Sequence, residues 1–227
     1  MILRVGQAAL RGDIARYARV FDLLELSSEP GRLPRAARLA EWRARVPESF
    51  VFSLRLPRAV AALDAAPGSD EALARALRAA ESLQAGWLVL DTPASVTPAA
   101  RHKRRLAELT EPLLERWRVA WAPRGVWLDD EAAAVSDELG VALVRDLGRS
   151  EPPDEAVVYT RLRGLGDGGS VRAGAVERAA ELLADRDEAY VVVDGGGAVR
   201  AARMLRELVD DDRERAPDTG AEPEARP

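Results

Sequence analysis

The sequence of 227 residues predicts a single (β/α)8 barrel of the TIM type, and three observations support that fold. Eight short apolar runs alternate with about seven amphipathic stretches, the order expected for a barrel of parallel strands. Several runs are apolar on consecutive residues, as at 191–193, which is typical of strands buried on both faces. The spacing is even, and no linker divides the chain. An open doubly wound sheet is the alternative architecture.

The apolar runs predict the strands. Capping residues, together with stretches that are apolar on one face, predict the helices between them. Pro34 suits a first helical turn, Ser69 can cap the amides that follow it, and Gly140 is a left-handed stop. The predicted strands are 2–6, 20–26, 50–56, 87–91, 118–122, 141–145, 156–162 and 190–194. The predicted helices are 13–19, 34–46, 69–84, 97–117, 129–139, 172–186 and 199–209.

One connection is predicted to lack a helix. Residues 147–155 include Pro152 and Pro153 and are too short and too broken to form one, so the barrel is small and irregular, with the helix after the sixth strand missing. The barrel domain is predicted over residues 1–212, near the lower limit of roughly 200 residues for this fold. The polar, proline-rich tail 213–227 is predicted to be disordered.

Composition excludes several classes of chemistry. The chain contains no cysteine, so disulfides, thiolate zinc sites and cysteine nucleophiles are excluded. Because His102 is the only histidine, one chain cannot build a two-histidine metal site, and Lys103 is the only lysine for a Schiff base. We therefore expect no tightly held metal and name no cofactor. The formal net charge of −5 disfavours a general nucleic-acid binder.

Hydropathy and the start of the chain set expectations about location. Residues 1–6 are followed by no long apolar segment, so they are interpreted as a strand rather than a signal peptide. No apolar run approaches the roughly 20 residues needed to span a bilayer. We therefore expect a cytoplasmic protein without a membrane partner, and the oligomeric state is left open.

Acidic residues and arginines gather at the carboxyl ends of the predicted strands, where barrels place their functional sites. Carboxylates there suit general acid or base chemistry, and arginines clamp anions through paired N–H donors. Strand ends are also often polar for solvation alone. The candidate catalytic residues are Glu25, Asp91 and Asp194, with Asp146 as a further partner. The candidate ligand-binding residues are Arg55, Arg161, Arg163, Ser27, Gly164 and Gly195.

A glycine-rich segment follows the seventh predicted strand. Gly164, Gly166 and Gly169 match the G-x-G-x-x-G dinucleotide fingerprint, but only one strand and one helix remain after it, fewer than a dinucleotide fold requires. In a barrel, the loops after strands 7 and 8 commonly bind phosphate through backbone amides, which fits 164–169 and 195–197. A flexible loop beside a tight turn is the alternative.

Five segments, in order along the chain, resemble motifs of one family. They are Leu-Arg-Val-Gly at 3–6, Phe-Asp-Leu-Leu-Glu-Leu-Ser-Ser at 21–28, Arg-Leu-Pro at 32–34, the stretch from Pro-Glu-Ser-Phe to Leu-Arg-Leu-Pro at 47–57, and Tyr-Thr-Arg-Leu-Arg-Gly at 159–164. The chain thereby resembles the domain of unknown function 72 family (YecE-like) over most of residues 1–209. The resemblance implies a TIM-type barrel and leaves the reaction open, because the family has no settled one.

Polar positions at the barrel mouth depart from the family pattern. The replacements are Ser27 for Asn, Arg55 for Lys, Asp91 for Gln, Arg163 for His, and Asp194 with Gly195 for two Asn. The resemblance therefore implies a divergent and shortened member with altered chemistry. The family residues that carry over are Glu25, Pro34, Pro57, Trp127, Tyr159 and Arg161.

Two hypotheses about function follow, and a third is weaker. The first is a barrel that binds a small anionic ligand, phosphorylated or sugar-like, at its mouth, with or without catalysis. The second is a non-catalytic descendant that serves as a binding or regulatory protein, with its mouth closed by Trp121 and by internal arginine–carboxylate pairs. The third, a metal-dependent nuclease, rests on fold analogy and lacks the several histidines that such sites need.

Overall fold

A computed structural model describes residues 1–164 and 169–215, and it shows the predicted barrel. Eight parallel strands form one sheet, and helices occupy the connections around it. The strands are β1 (Ile2–Gln7), β2 (Leu23–Ser27), β3 (Val51–Arg55), β4 (Trp87–Asp91), β5 (Arg118–Ala122), β6 (Ala142–Leu143), β7 (Val157–Arg163) and β8 (Glu188–Asp194). Each strand overlaps its predicted range.

Strand order decides between the two predicted architectures. From β1 to β6 each strand pairs in parallel with the next, β7 pairs with β8, and β8 pairs with β1. The sheet closes where Asp146, just after β6, forms a bridge with Arg161 of β7. There the Arg161 amide donates to the Arg145 carbonyl at 2.8 Å, and the Leu147 amide donates to the Arg161 carbonyl at 2.9 Å. A doubly wound sheet would reverse its strand order and stay open.

The helices pack on the outside of the sheet. They are α1 (Ile14–Tyr17), α2 (Ala36–Ala44), α3 (Arg58–Ala61), α4 (Ser69–Leu83), α5 (Ala100–Leu114), α6 (Asp129–Leu139), α7 (Ala173–Leu183) and α8 (Ala198–Arg215). The connection from β6 to β7 carries no helix, as predicted. Within the described ranges, no helix is both long enough and apolar enough to cross a bilayer.

Three boundaries refine the predicted helices. Gly140 ends α6 in the left-handed conformation with φ of 67°, as predicted. Ser69 is not the cap of α4, because the helix begins at Ser69 itself and the left-handed Gly68 precedes it. Helix α8 continues to Arg215, beyond the predicted domain limit at 212. The remaining residues, 216–227, and the disorder predicted for them lie outside the described part of the chain.

Side chains fill the inside of the barrel as well as the space between sheet and helices. Successive strand residues alternate between the two sides, so Leu23 and Glu25 of β2 both face inward. Trp87, Tyr159 and Tyr190 lie inside the barrel, and the Trp87 ring centroid is 5.1 Å and 5.2 Å from those of the two tyrosines. This aromatic layer lies inside the barrel directly below the polar groups of the mouth.

Candidate functional site

A buried ion pair lies inside the barrel, below its carboxyl-terminal mouth. Glu25 of β2 is 1% exposed and Arg161 of β7 is 2% exposed. The Arg161 Nη2 atom lies 3.0 Å from both carboxylate oxygens of Glu25. The Tyr159 hydroxyl donates to Glu25 Oε2 at 3.0 Å and shares a hydrogen bond of 2.7 Å with Ser53 Oγ. Both oxygens of the Glu25 carboxylate are therefore engaged by groups of the protein itself.

Charge and burial oppose each other in this cluster. Desolvation disfavours the charged form of Arg161, but the Glu25 carboxylate and the neighbouring Tyr159 outweigh it and raise the pKa of the guanidinium above its usual value. Burial, followed by the charge of Glu25, raises the pKa of the Tyr159 hydroxyl well above its ordinary range. Arg161 therefore stays charged and Tyr159 stays protonated, so both donate to Glu25.

A cavity of about 400 Å³ opens at the mouth, next to this pair. Ser27, Arg55 and Asp91 stand at the ends of β2, β3 and β4 and line it. Arg55 links the cavity to the buried pair, because its Nη1 lies 3.7 Å from Glu25 Oε1 while its side chain is 30% exposed. Glu25 is the only acid that Arg55 approaches within 4 Å among the residues described. That separation exceeds a hydrogen bond, and the Arg55 guanidinium, which lines the cavity, forms no hydrogen bond with any other residue described.

Asp91 forms the second arginine pair of the mouth. The Arg124 Nε and Nη2 atoms donate to its two oxygens at 2.7 Å and 2.6 Å, a two-point contact at the edge of the cavity. Burial alone would raise the pKa of Asp91, but the hydrogen bonds and charge of Arg124, helped by Arg161 and Arg55, hold that pKa below its ordinary value. Asp91 is therefore an ionised carboxylate that can accept hydrogen bonds at neutral pH.

The remaining predicted residues lie together elsewhere on the rim. Arg163 Nε is 4.0 Å from Asp194 Oδ2, and Asp194 is largely exposed. Gly164 and Gly195 bring the loops after β7 and β8 together, because a Cβ on either would stand 1.8 Å or 2.5 Å from the Gly169 carbonyl oxygen. Gly195 also has φ of 143°, a conformation that favours glycine. Gly166, central to the predicted fingerprint, lies outside the described residues.

The structure thus divides the predicted site into two groups. One group surrounds the mouth cavity and the buried pair beneath it, and it comprises Glu25, Ser27, Arg55, Asp91 and Arg161. The other group lies at the ends of β7 and β8 and comprises Arg163, Gly164, Asp194 and Gly195. Asp146 accepts from the backbone amides of Gly148 and Arg163, so it lies beside the second group.

Arg124 was not among the predicted site residues, although it lies only two residues beyond the end of β5. The signal was its position beyond Pro123 at a strand end, the same rule that selected Asp91. Trp121 does not close the mouth. It is fully buried in the layer between sheet and helices, where its Nε1 donates to Thr92 Oγ1 at 3.1 Å and its ring meets Trp127 edge-on at 4.9 Å.

Metal-ligand types do not cluster in the described ranges. No group of three or more His, Asp or Glu side chains stands close enough there to hold a metal ion. The acids of the mouth are instead matched with guanidinium groups, as in the Glu25–Arg161 and Asp91–Arg124 pairs.

Comparison with known proteins decides the family. The family model described as a protein of unknown function, DUF72, matches residues 6–227. The chain belongs to the DUF72 family. None of the curated protein sequences matches it. The family assignment agrees with the segments of sequence that resemble the YecE-like pattern.

Solved structures share the fold at low sequence identity. A DUF72 family protein of Enterococcus faecalis V583 matches with a TM-score of 0.73 and 15% identity, over 92% of this chain and 98% of that chain. Another, of Thermotoga maritima MSB8, matches with a TM-score of 0.67 and 14% identity over 92% and 99%. A D-allulose 3-epimerase from Methylomonas sp. matches with a TM-score of 0.59 and 15% identity over 93% and 98%. At such identities the likeness concerns the fold alone.

Proposed function

We propose that the mouth cavity binds a small anionic molecule that also carries hydroxyl groups, such as a sugar phosphate or a sugar acid. The observation that carries the proposal is Arg55, whose guanidinium faces the cavity with its only described acidic neighbour beyond hydrogen-bond distance. An arginine placed in this way offers a planar set of donors that matches a carboxylate or phosphate. The ligand anion would form the close ion pair with Arg55 that Glu25, at 3.7 Å, does not form.

The charge balance of the cavity supports an anion. Arg55, Arg58 and Arg124 line it against two acids, Glu29 and Asp91, which leaves an excess of positive charge. The Glu25–Arg161 pair beneath the cavity is internally balanced. A ligand with one or two negative charges would therefore balance the excess positive charge of the mouth.

The polar groups of the cavity suit hydroxyl groups on the same ligand. Asp91 is held ionised and accepts hydrogen bonds, and Ser27 can donate or accept them. The D-allulose 3-epimerase that shares the fold acts on a sugar, as its name states, which supports a sugar-like ligand here. Within this proposal Asp91 touches the ligand, whereas Glu25 is a positioning residue that holds Arg161 and Arg55.

A second candidate, binding without catalysis, is favoured by the pairing of the acids. Arg161 and Tyr159 engage both oxygens of Glu25, and Arg124 engages both oxygens of Asp91. A general base needs a free oxygen that can reach the proton it removes. The two candidates share one binding site and differ in whether the bound molecule is changed.

Calorimetric titration of the full chain tests the binding site. The probes are D-glucose 6-phosphate, D-gluconate, inorganic phosphate and uncharged D-glucose, and we expect the two anionic sugars to bind most tightly. Arg55→Gln should weaken them by about tenfold or more, since a hydrogen bond to a charged group contributes ~1.5–3 kcal/mol. Arg38→Gln is the matched control, because Arg38 pairs with Glu41 on the surface of α2. Equal affinity in Arg55→Gln, or no binding of any probe, contradicts the proposal.

Turnover separates the two candidates. Each probe that binds is incubated with the protein and followed by proton NMR. A new product that disappears with Asp91→Asn identifies an enzyme. An unchanged probe, bound with the same affinity throughout, identifies a binding protein.

A further inference from the structure

We infer a second anion site outside the barrel, formed by four arginines and suited to a small molecule with two or more phosphate groups. A cavity of about 390 Å³ lies between the connection from β6 to β7 and the start of α7. Arg149, Arg163, Arg172 and Arg178 line it, together with the single acid Asp146. This cavity shares no lining residue with the mouth cavity, so the inference does not rest on the function proposed there.

The acids near this cavity contact its arginines only loosely. Arg149 is 3.7 Å from Asp146, Arg163 is 4.0 Å from Asp194, and Arg178 is 3.5 Å from Glu151. Arg172 has no ion pair with any acid among residues 1–164 and 169–215. These separations are at or beyond the limit of a hydrogen bond, so the guanidinium donors remain available.

Two arginines elsewhere in the molecule are paired much more closely. Arg118 with Glu188 and Arg186 with Asp154 both form contacts of 2.6 Å. Compared with these two contacts, the acids around the α7 cavity hold its arginines loosely.

Asp146 offsets only one of the four arginine charges. Its Oδ1 atom accepts from the backbone amides of Gly148 at 3.2 Å and Arg163 at 3.4 Å, which commits the carboxylate to holding the loop. Its side chain is also almost buried. The acid thus shapes the wall of the cavity, and the net charge presented to solvent stays positive.

The size and charge of the cavity indicate the ligand class. Four guanidinium groups exceed what one phosphate needs, since each arginine can contact two phosphate oxygens. The first turn of α7 contributes Gly174 and Ala175 to the wall, which adds the positive end of a helix to the charge of the arginines. A diphosphate or triphosphate group, free or attached to a nucleoside, fits these features.

Titration of the full chain with inorganic pyrophosphate, inorganic triphosphate and ADP tests the inference, with inorganic phosphate for comparison. We expect pyrophosphate to bind at least about tenfold more tightly than phosphate, because two charged groups share four arginines. Arg172→Gln and Arg178→Gln should each weaken pyrophosphate by about tenfold, while the surface control Arg38→Gln leaves it unchanged. Tighter binding of ADP than of pyrophosphate would show that the source is a nucleotide.

The two sites are distinguished by crossing their variants. Arg55→Gln should leave pyrophosphate affinity unchanged, and Arg172→Gln should leave the affinity for sugar phosphates at the mouth unchanged. No binding of pyrophosphate or triphosphate, or equal affinity in Arg172→Gln and Arg178→Gln, overturns the second site. Loss of pyrophosphate binding in Arg55→Gln also overturns it, because the anion would then occupy the mouth. Circular dichroism and the melting temperature check that each variant is folded.

Discussion

The barrel contains two clusters of the same three residue types, one near each end. Near the mouth, Arg161 and Tyr159 contact Glu25, and all three are almost completely buried. At the opposite end, where strands begin, Arg118 lies 2.6 Å from Glu188, and the Tyr190 hydroxyl donates to the same carboxylate at 2.7 Å. There the Arg118 side chain is 48% exposed and that of Glu188 is 24% exposed.

The difference between the two clusters is access of water. Tyr159 and Tyr190 stack with an interplanar angle of 12° and a centroid separation of 6.3 Å, so each cluster contributes one ring to the apolar layer between them. On the amino-terminal side, solvent screens the charges and reduces what the ion pair contributes. On the mouth side, the loss of either partner leaves an unmatched charge in a medium of low polarity. The same three residue types therefore form a solvated ion pair that contributes little to stability at one end, and a buried ion pair that the fold depends on at the other.

The largest expected effect comes from Glu25→Gln. Removing the carboxylate leaves the Arg161 charge buried without a counter-ion, and we expect a loss of about 3–5 kcal/mol in the free energy of unfolding. Urea unfolding followed by circular dichroism measures it. Glu188→Gln is the matched change at the other end and should cost no more than about 1 kcal/mol. Equal losses in the two variants would break the comparison.

An intermediate effect is expected from Tyr159→Phe. The substitution removes the hydroxyl that joins Ser53 to Glu25 and leaves buried acceptors unsatisfied, which costs about 1–3 kcal/mol. Tyr190→Phe removes a hydroxyl whose partner, Glu188, can turn to water, so its cost should be below about 1 kcal/mol. The same urea experiment compares the pair. A larger loss in Tyr190→Phe would contradict the assigned difference in burial.

The smallest effect depends on pH. The hydrogen bonds from Arg118 and Tyr190 lower the pKa of Glu188 below its ordinary value of 4.5. A carboxyl whose pKa is lowered by folding stabilises the protein above its unfolded-state pKa, and that stabilisation is lost as pH falls through its folded-state pKa. Wild type should therefore exceed Glu188→Gln by about 0.2–1 kcal/mol at pH 7, and the gap should close below pH 4.5. Unfolding curves across that range measure the gap, and a gap that widens on acidification would refute the assignment.

Local patterns were sufficient to predict most of the fold. Runs of consecutive apolar residues locate buried parallel strands, and each observed strand overlaps a predicted one. The exception among the helices is α3, because four residues after Pro57 complete only one turn and leave no periodic signal. The rule that barrel sites lie at the carboxyl ends of strands selected Arg55 and Asp91, and the structure places both beside the same cavity.

Contacts around the circumference of the barrel could not be predicted in the same way. The strand-end rule names an edge of the sheet, yet it does not say which strand ends face one another across the mouth. Asp194 was therefore grouped with Glu25, although the structure places it beside Arg163. Arg124 lies two residues beyond its strand, and Arg172 precedes a helix, so neither position carried a signal of its partner or cavity.

The seam between β6 and β7 gives Arg161 two duties. Its backbone closes the wall through hydrogen bonds to Arg145 and Leu147, and its side chain holds Glu25 inside. Strand β6 contributes only two residues, so few bonds resist separation at this seam. Any fluctuation that separates β6 from β7 also moves Arg161 and so disturbs its ion pair with Glu25. Opening of the barrel wall is thereby coupled to the arrangement of the polar side chains at the mouth. Hydrogen exchange of the Arg161 and Leu147 amides would measure how often the seam opens.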